Sequence, residues 1–270
     1  MCCFICLEVD KQTMIYLVLL LFAICLARGQ YMVSKFNLLA PWSGYGAIQG
    51  VLNKDSDAPM VYRVLAAWII GKGYQLWKYQ IFMTTMIWLS LIAVYLAWGL
   101  HITLLSTILI TITLWYDYWD WTAEMIGLSL ALVSFPLALF GTIVHGLSRE
   151  TAPLVGLVYA LHSGNYLLGT ILTLVALSTL FLVRMIQGRH KLYCKRWMIL
   201  DNIELIKKGN IATWISIVII TIYLFSIPLR MESLGLLPLV LAGLTMAKIN
   251  ETRVFIGVIP YAALFLSGLL

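Results

Sequence analysis

Leu137 to Leu161 reads LALFGTIVHGLSRETAPLVGLVYAL. Its flanks suit a helix in hydrocarbon, where about 20 residues cross a core of about 30 Å. Its middle, HGLSRETAPL, sets His145, Arg149 and Glu150 at membrane depth. A charge there costs at least about 2.5 to 3.5 kcal/mol, so each must be paired or face a wet cavity. Gly146 and Pro153 bracket Arg149 and Glu150 and mark a break in the helix. His145 and Arg149 stand one helical turn apart and suit a single anionic group. The simpler alternative is a structural Arg149–Glu150 pair at the break.

The rest of the chain has the same character. The 270 residues are 62% hydrophobic and 11% charged, with mean hydropathy +0.94, whereas soluble chains carry about 25% charged residues. The expected fold class is all-α: a polytopic transmembrane helical bundle in which residues 1–270 form a single integral membrane domain. Apolar runs at 15–27, 81–98, 102–115, 122–134, 137–161, 166–186, 211–228, 234–247 and 254–270 make about nine spans, with no room for a soluble catalytic domain. The runs 102–115 and 122–134 are short and must borrow flanking residues or thin the bilayer. The stretch PMVYRVLAAWII at 59–70 is shorter still and carries Arg63, which predicts an interfacial helix on the membrane surface.

Orientation follows from basic residues. The 187–210 loop holds Arg189, Lys191, Lys195, Arg196, Lys207 and Lys208 against Asp201 and Glu204, so the positive-inside rule makes it cytoplasmic. Counting spans backwards sets 162–165 outside, the break near Pro136 inside, 116–121 outside and 99–101 inside. The 28–80 loop then lies outside and the 1–13 tail in the cytoplasm. Arg28, Lys35, Lys54, Lys72 and Lys78 in 28–80 pull the other way, but the 187–210 signal is denser. A net charge of +6 spread over loops does not argue for nucleic acid. Cysteines stand at 2, 3, 6, 25 and 194, four of them at or inside the first apolar segment with no ligand histidines nearby, which argues against a disulfide framework or a zinc site.

The acidic residues concentrate early. Asp55 and Asp57 fall in the first long loop, Asp117 and Asp120 in the next external one, and Glu124 one turn into the following span. Asp55-Ser56-Asp57 has the outline of a pair sharing a divalent cation, against the plain reading of a solvated turn. Asp117, Asp120 and Glu124 share one helical face at i, i+3 and i+7, where three acids repel unless a cation or a basic group joins them. The two aspartates sit in the aromatic segment WYDYWDW at 115–121, which by itself also marks an interface belt. A divalent cation on these three, Mg²⁺ or Mn²⁺, is the candidate cofactor. No nucleophile elbow, P-loop, dinucleotide fingerprint or HExxH occurs.

The order of these parts resembles the GT-C superfamily of membrane glycosyltransferases, which take sugar from a polyprenyl-phosphate carrier at the outer face. The resemblance runs over 14–260, through the 28–80 loop with its acids, the Gly99 hairpin, Tyr116-Asp117 and Ser148-Arg149-Glu150-Thr151-Ala152. Asp57-Ala58-Pro59 with Tyr62-Arg63, and Glu251-Thr252-Arg253-Val254-Phe255 with Pro260, are similar to bacterial membrane proteins grouped with that superfamily. The resemblance implies a multi-pass protein of a bacterial or archaeal cell membrane whose partners are membrane lipid and a polyprenyl-phosphate-linked sugar. It also implies Asp57 or Asp55 as general base, Asp117 with Glu124 as a hold on the divalent cation or the acceptor, and Arg149, His145, Glu150 and Arg63 as substrate-binding residues. Two other readings stand beside it. Charges at membrane depth suit a small-solute transporter or channel, and polar intramembrane residues also serve a non-catalytic subunit that binds partner helices.

Overall fold

The computed structural model describes residues 10–34, 44–54, 63–71, 75–113, 120–188, 198–247 and 252–269. Every element among them is helical. The α-helices are α1 (Lys11–Ser34), α2 (Gly44–Asn53), α3 (Leu65–Ile70), α4 (Leu76–Thr113), α5 (Asp120–Leu130) and α6 (Phe135–Gly146). After them come α7 (Leu154–Ser163), α8 (Tyr166–Gln187), α9 (Ile199–Lys207), α10 (Ile211–Ser226), α11 (Leu237–Met246) and α12 (Ile259–Ser267). Tighter 3-10 segments occupy Ile227–Leu229, Met231–Leu236 and Thr252–Val258. Four helical stretches are long and apolar enough to cross a membrane: Lys11–Met32, Leu76–Thr113, Tyr166–Gln187 and Ile211–Leu229.

The long α4 is two limbs. Gly99 takes φ 79° and ψ 176°, a conformation open to glycine, so the 76–98 limb ends there and a second begins at once. Contacts along the first limb fix the ends of the bundle. Tyr16 packs edge-on against Tyr95 at 6.1 Å, and Trp88 Nε1 donates to the Tyr16 carbonyl at 3.0 Å. Ala27, Gln30 and Tyr31 face Tyr79 and Met83, so α1 runs antiparallel to this limb. The Arg230 guanidinium stands 5.6 Å from the Trp98 ring centre, and His162 Nδ1 lies 3.5 Å from Glu232 Oε1. The starts of α1 and α8 and the ends of 76–98, α7 and α10 therefore share one end, here the Gly99 end. At the opposite, α9 end, Lys54 Nζ donates to the Ile186 carbonyl at 2.6 Å.

These contacts revise the ordering of loops. Residues 99–101 and 162–165, which span counting separates, lie at one end, while Lys54 of the 28–80 loop and the start of 187–210 share the other. The cause is the stretch 137–161. Gly146 abuts Thr179, and Phe135 at the start of α6 meets Tyr159 near the end of α7 at 5.9 Å, so α6 runs parallel to α8. The Pro153 carbonyl accepts from Thr173 Oγ1 at 3.4 Å, and Gly156 and Ala160 lie against Gly169, so α7 runs antiparallel to α8. The stretch is thus two half-helices that enter from the Gly99 end and turn back. Their joint, 147–153, lies abreast of 173–179, midway along a helix that is 22 residues and so about 33 Å long.

Close backbone approach makes the hairpin. A Cβ on Gly141 would lie 3.0 Å from the Gly127 Cα where α5 crosses α6, and one on Gly156 would strike the Gly169 carbonyl where α7 crosses α8. Small residues at such crossings let apolar helices associate without a hydrophobic driving force. Beyond the hairpin, Asn202 Nδ2 donates to the Leu244 and Ala247 carbonyls at 2.8 and 2.9 Å, which ties α9 to the end of α11. The chain then returns through α12, where Tyr261 meets Trp98 edge-on at 5.1 Å and Phe265 stacks on Phe225 at 5.8 Å.

The stretch 59–70 also differs from a surface helix. Among its described residues Arg63, Val64, Leu65, Ala66 and Ala67 are buried, and only Trp68 and Ile69 are largely exposed. The Leu65 amide donates to the Leu147 carbonyl at 3.1 Å, which draws the segment down to the half-helix joint.

Candidate functional site

The joint carries the charges. α6 ends at Gly146 with the Ser148 and Arg149 amides both bonded to the His145 carbonyl, at 2.9 and 2.7 Å. This turn swings Arg149 toward α5 instead of along α6. Arg149 Nη1 donates to Glu124 Oε2, and its Nε lies 3.4 Å from Asp120 Oδ2. Asp120 Oδ2 also accepts from Arg63 Nη1 at 2.5 Å. Arg63 Nη2 stands 3.9 Å from Glu150 Oε2. Asp120 and Glu124 are fully buried, and Arg63 and Arg149 nearly so. The chain of charges runs Glu124, Arg149, Asp120, Arg63, Glu150. Two cations balance the two inner carboxylates, and Glu150, whose side chain is 32% exposed, forms the open edge.

Neutral groups complete the network. The Thr151 hydroxyl donates to Glu124 Oε2 at 3.3 Å and stands 2.9 Å from His145 Nε2. With its one hydrogen on Glu124, Thr151 receives the Nε2–H of His145 and leaves Nδ1 as the ring's acceptor. That ring lies against Gly127, where a Cβ would come within 2.9 Å of Nδ1. Glu124 Oε1 accepts from the Gly257 amide at 3.1 Å, and a Cβ on Gly257 would strike the same oxygen. Asp120 lies in the first turn of α5, where the positive end of the helix dipole favours a carboxylate.

Of the residues singled out from sequence, Arg63, Asp120, Glu124, His145, Arg149 and Glu150 meet here. Arg149 pairs with Glu124 and Asp120 across helices, not with its neighbour Glu150. Asp55, Asp57 and Asp117 lie outside the described residues. Asp120 Oδ2 and both Glu124 oxygens face guanidinium or amide hydrogens, so these two acids do not fit a cation site. No group of three metal-ligating side chains occurs among the described residues. Thr151 and Gly257 were missed by sequence reasoning. Glycines inside apolar helices were the available signal.

An apolar groove of about 520 Å³ adjoins the joint, lined by Trp68 of α3, Ile143 and Leu147 of α6 and its end, and Leu174, Thr179 and Ile186 of α8 among others. It runs along the outer side of α8 from mid-height toward Lys54 at the α9 end. Comparison with protein families, with characterised proteins and with solved structures returned no match.

Proposed function

We propose that the protein is a multi-pass membrane transferase of GT-C type, acting on a sugar carried by a polyprenyl phosphate. The supporting observation is an apolar groove of ligand size that reaches Leu147 at the joint, two residues before Arg149 of the charged cluster. The prenyl chain lies in the groove and the phosphate replaces Glu150 at Arg63, the member of the cluster with the exposed partner. Arg63 supplies the guanidinium hydrogens toward which leaving-group charge develops, while Arg149, balanced by Glu124 and Asp120, fixes the cluster in place. Of the acids that the resemblance makes catalytic, Asp57 or Asp55 deprotonates the acceptor hydroxyl as the lipid phosphate departs, and Asp117 helps hold the acceptor.

In this reading the remaining apolar stretches complete a multi-pass topology, short of nine full crossings because 137–161 turns back. The described basic residues outside the cluster divide unequally. Arg28, Lys54, Lys78, Arg184, Lys207 and Lys208 lie toward the α9 end, and Lys11 and Arg230 toward the Gly99 end. The positive-inside rule turns the α9 end to the cytoplasm and the amino terminus outward. That reverses both the cytoplasmic amino terminus and the outer-face transfer first expected.

The test is retention of a short-chain polyprenyl phosphate by purified protein, followed by sugar transfer in membranes. Arg63→Gln should weaken retention at least about tenfold, the loss of one charge-assisted contact, while Arg63→Lys keeps part of it. Equal retention by wild type and Arg63→Gln would refute the assignment. A second reading, transport, is favoured by the half-helix hairpin with its ionisable joint at mid-height. Solute flux in proteoliposomes without sugar transfer would establish it instead.

A further inference from the structure

The α9 helix turns its apolar residues away from the protein. Ile199, Leu200, Ile203 and Ile206 are 46%, 76%, 44% and 36% exposed. Ile199, Ile203 and Ile206 form one stripe at i, i+4 and i+7, with Leu200 flanking it. The side that borders the stripe at Asn202 is fixed: Asn202 is buried on the α11 carbonyls, and the Met198 amide donates to the Thr245 carbonyl at 2.8 Å.

Position and charge identify what covers the stripe. α9 stands between the end of α8 and the start of α10, two helices long and apolar enough to cross a membrane. A short amphipathic helix at that level lies in the plane of the bilayer surface. Exposed Lys207 and Lys208 close it, and the connection before it carries Arg189, Lys191, Lys195 and Arg196 in sequence.

We propose that α9 docks on the bilayer surface and selects anionic lipid, its stripe among the acyl chains and Lys207 and Lys208 on head-group phosphates. This surface lies apart from the charged joint and does not rest on the transferase reading. Each basic residue near an anionic surface contributes roughly a fivefold gain in affinity. The preference therefore falls in strong salt.

The experiment titrates phosphatidylglycerol and phosphatidylcholine of matched chains against the full-length protein in detergent, read by native mass spectrometry. The wild type should hold phosphatidylglycerol about twenty-five-fold more tightly, and Lys207→Gln with Lys208→Gln should remove most of that preference. Leu200→Ser with Ile203→Ser should weaken both lipids alike. Because these side chains are exposed, the variants leave the buried core intact. Equal binding of the two lipids by wild type overturns the proposal, as does a lysine variant that keeps the full preference. A dimer that persists without added lipid and is dissociated by Leu200→Ser would assign the stripe to a second copy and overturn it too.

Discussion

Replacing Arg149 by Gln tests the charged joint most directly. Arg149 serves two fully buried carboxylates, Glu124 through Nη1 and Asp120 through Nε at 3.4 Å. A pair of charges about 4 Å apart attracts by about 4 kcal/mol at an effective dielectric of 20. Repulsion from Arg63 and desolvation offset much of that, and breaking one side of a buried pair costs about 3–5 kcal/mol net. Glu124→Gln alone should cost less, because Arg149 keeps Asp120, which Arg63 also holds. The double variant should then be about 2 kcal/mol more stable than the sum of the single losses, since no uncompensated Glu124 remains. Unfolding in mixed micelles reads the cycle, and at about 2–4 °C per kcal/mol the Arg149→Gln midpoint should fall by roughly 10 °C. Strict additivity within about 0.5 kcal/mol would show that the two side chains do not interact, and the network would have to be redrawn.

Other outcomes follow from single contacts. Gly257→Ala inserts a methyl against Glu124 Oε1 and within 2.9 Å of Leu128 Cδ1. It should destabilise by about 1–3 kcal/mol, and a midpoint unchanged from wild type would disprove the close approach. Gly156→Val should separate α7 from α8 and lower the folded yield, whereas the same change at Gly29, which has nothing within 4 Å, should not. Lys54→Cys should react with a membrane-impermeant thiol reagent only after the cytoplasmic side is opened, in a variant whose other cysteines are replaced; labelling of intact cells would reverse the assigned orientation. Asp10 is held below the usual carboxylate range, first by the Thr13 amide and then by the Thr13 hydroxyl. A depressed folded pKa stabilises above the unfolded value of about 3.9 and is lost as pH falls through the folded one. Protection of the Thr13 amide, its exchange rate divided into the intrinsic rate at each pH, should therefore fall in acid, and a protection that does not change with pH would contradict the cap.

The membrane class of the chain was legible in its composition, and the break in 137–161 in Gly146, Pro153 and the charges between them. The gathering of charge was only partly legible. Asp120 and Glu124 share a face one turn apart, which is local information. Their pairing with Arg63, 57 residues from Asp120, and with Arg149, 25 residues from Glu124, is tertiary. Span counting failed at one place for a physical reason. Hydropathy reads this 25-residue run as one crossing, whereas the structure folds it into two half-helices held by Gly127–Gly141 and Gly156–Gly169. The sidedness of every loop on the far side of that stretch changes with it. The outward stripe of α9 was hidden because nine residues between basic loops read as polar connection.

The fold-back of 137–161 bears on how the chain is made. An emerging segment of that length and hydropathy is read by the insertion machinery as a complete span. Its return to the side it came from depends on α8, whose Gly169, Thr173 and Thr179 seat the two halves and which is synthesised later. A nascent chain cut at Gly164 has no such seat. A reporter fused there measures the sidedness of an unfinished chain, while one fused beyond α10 measures that of the finished protein.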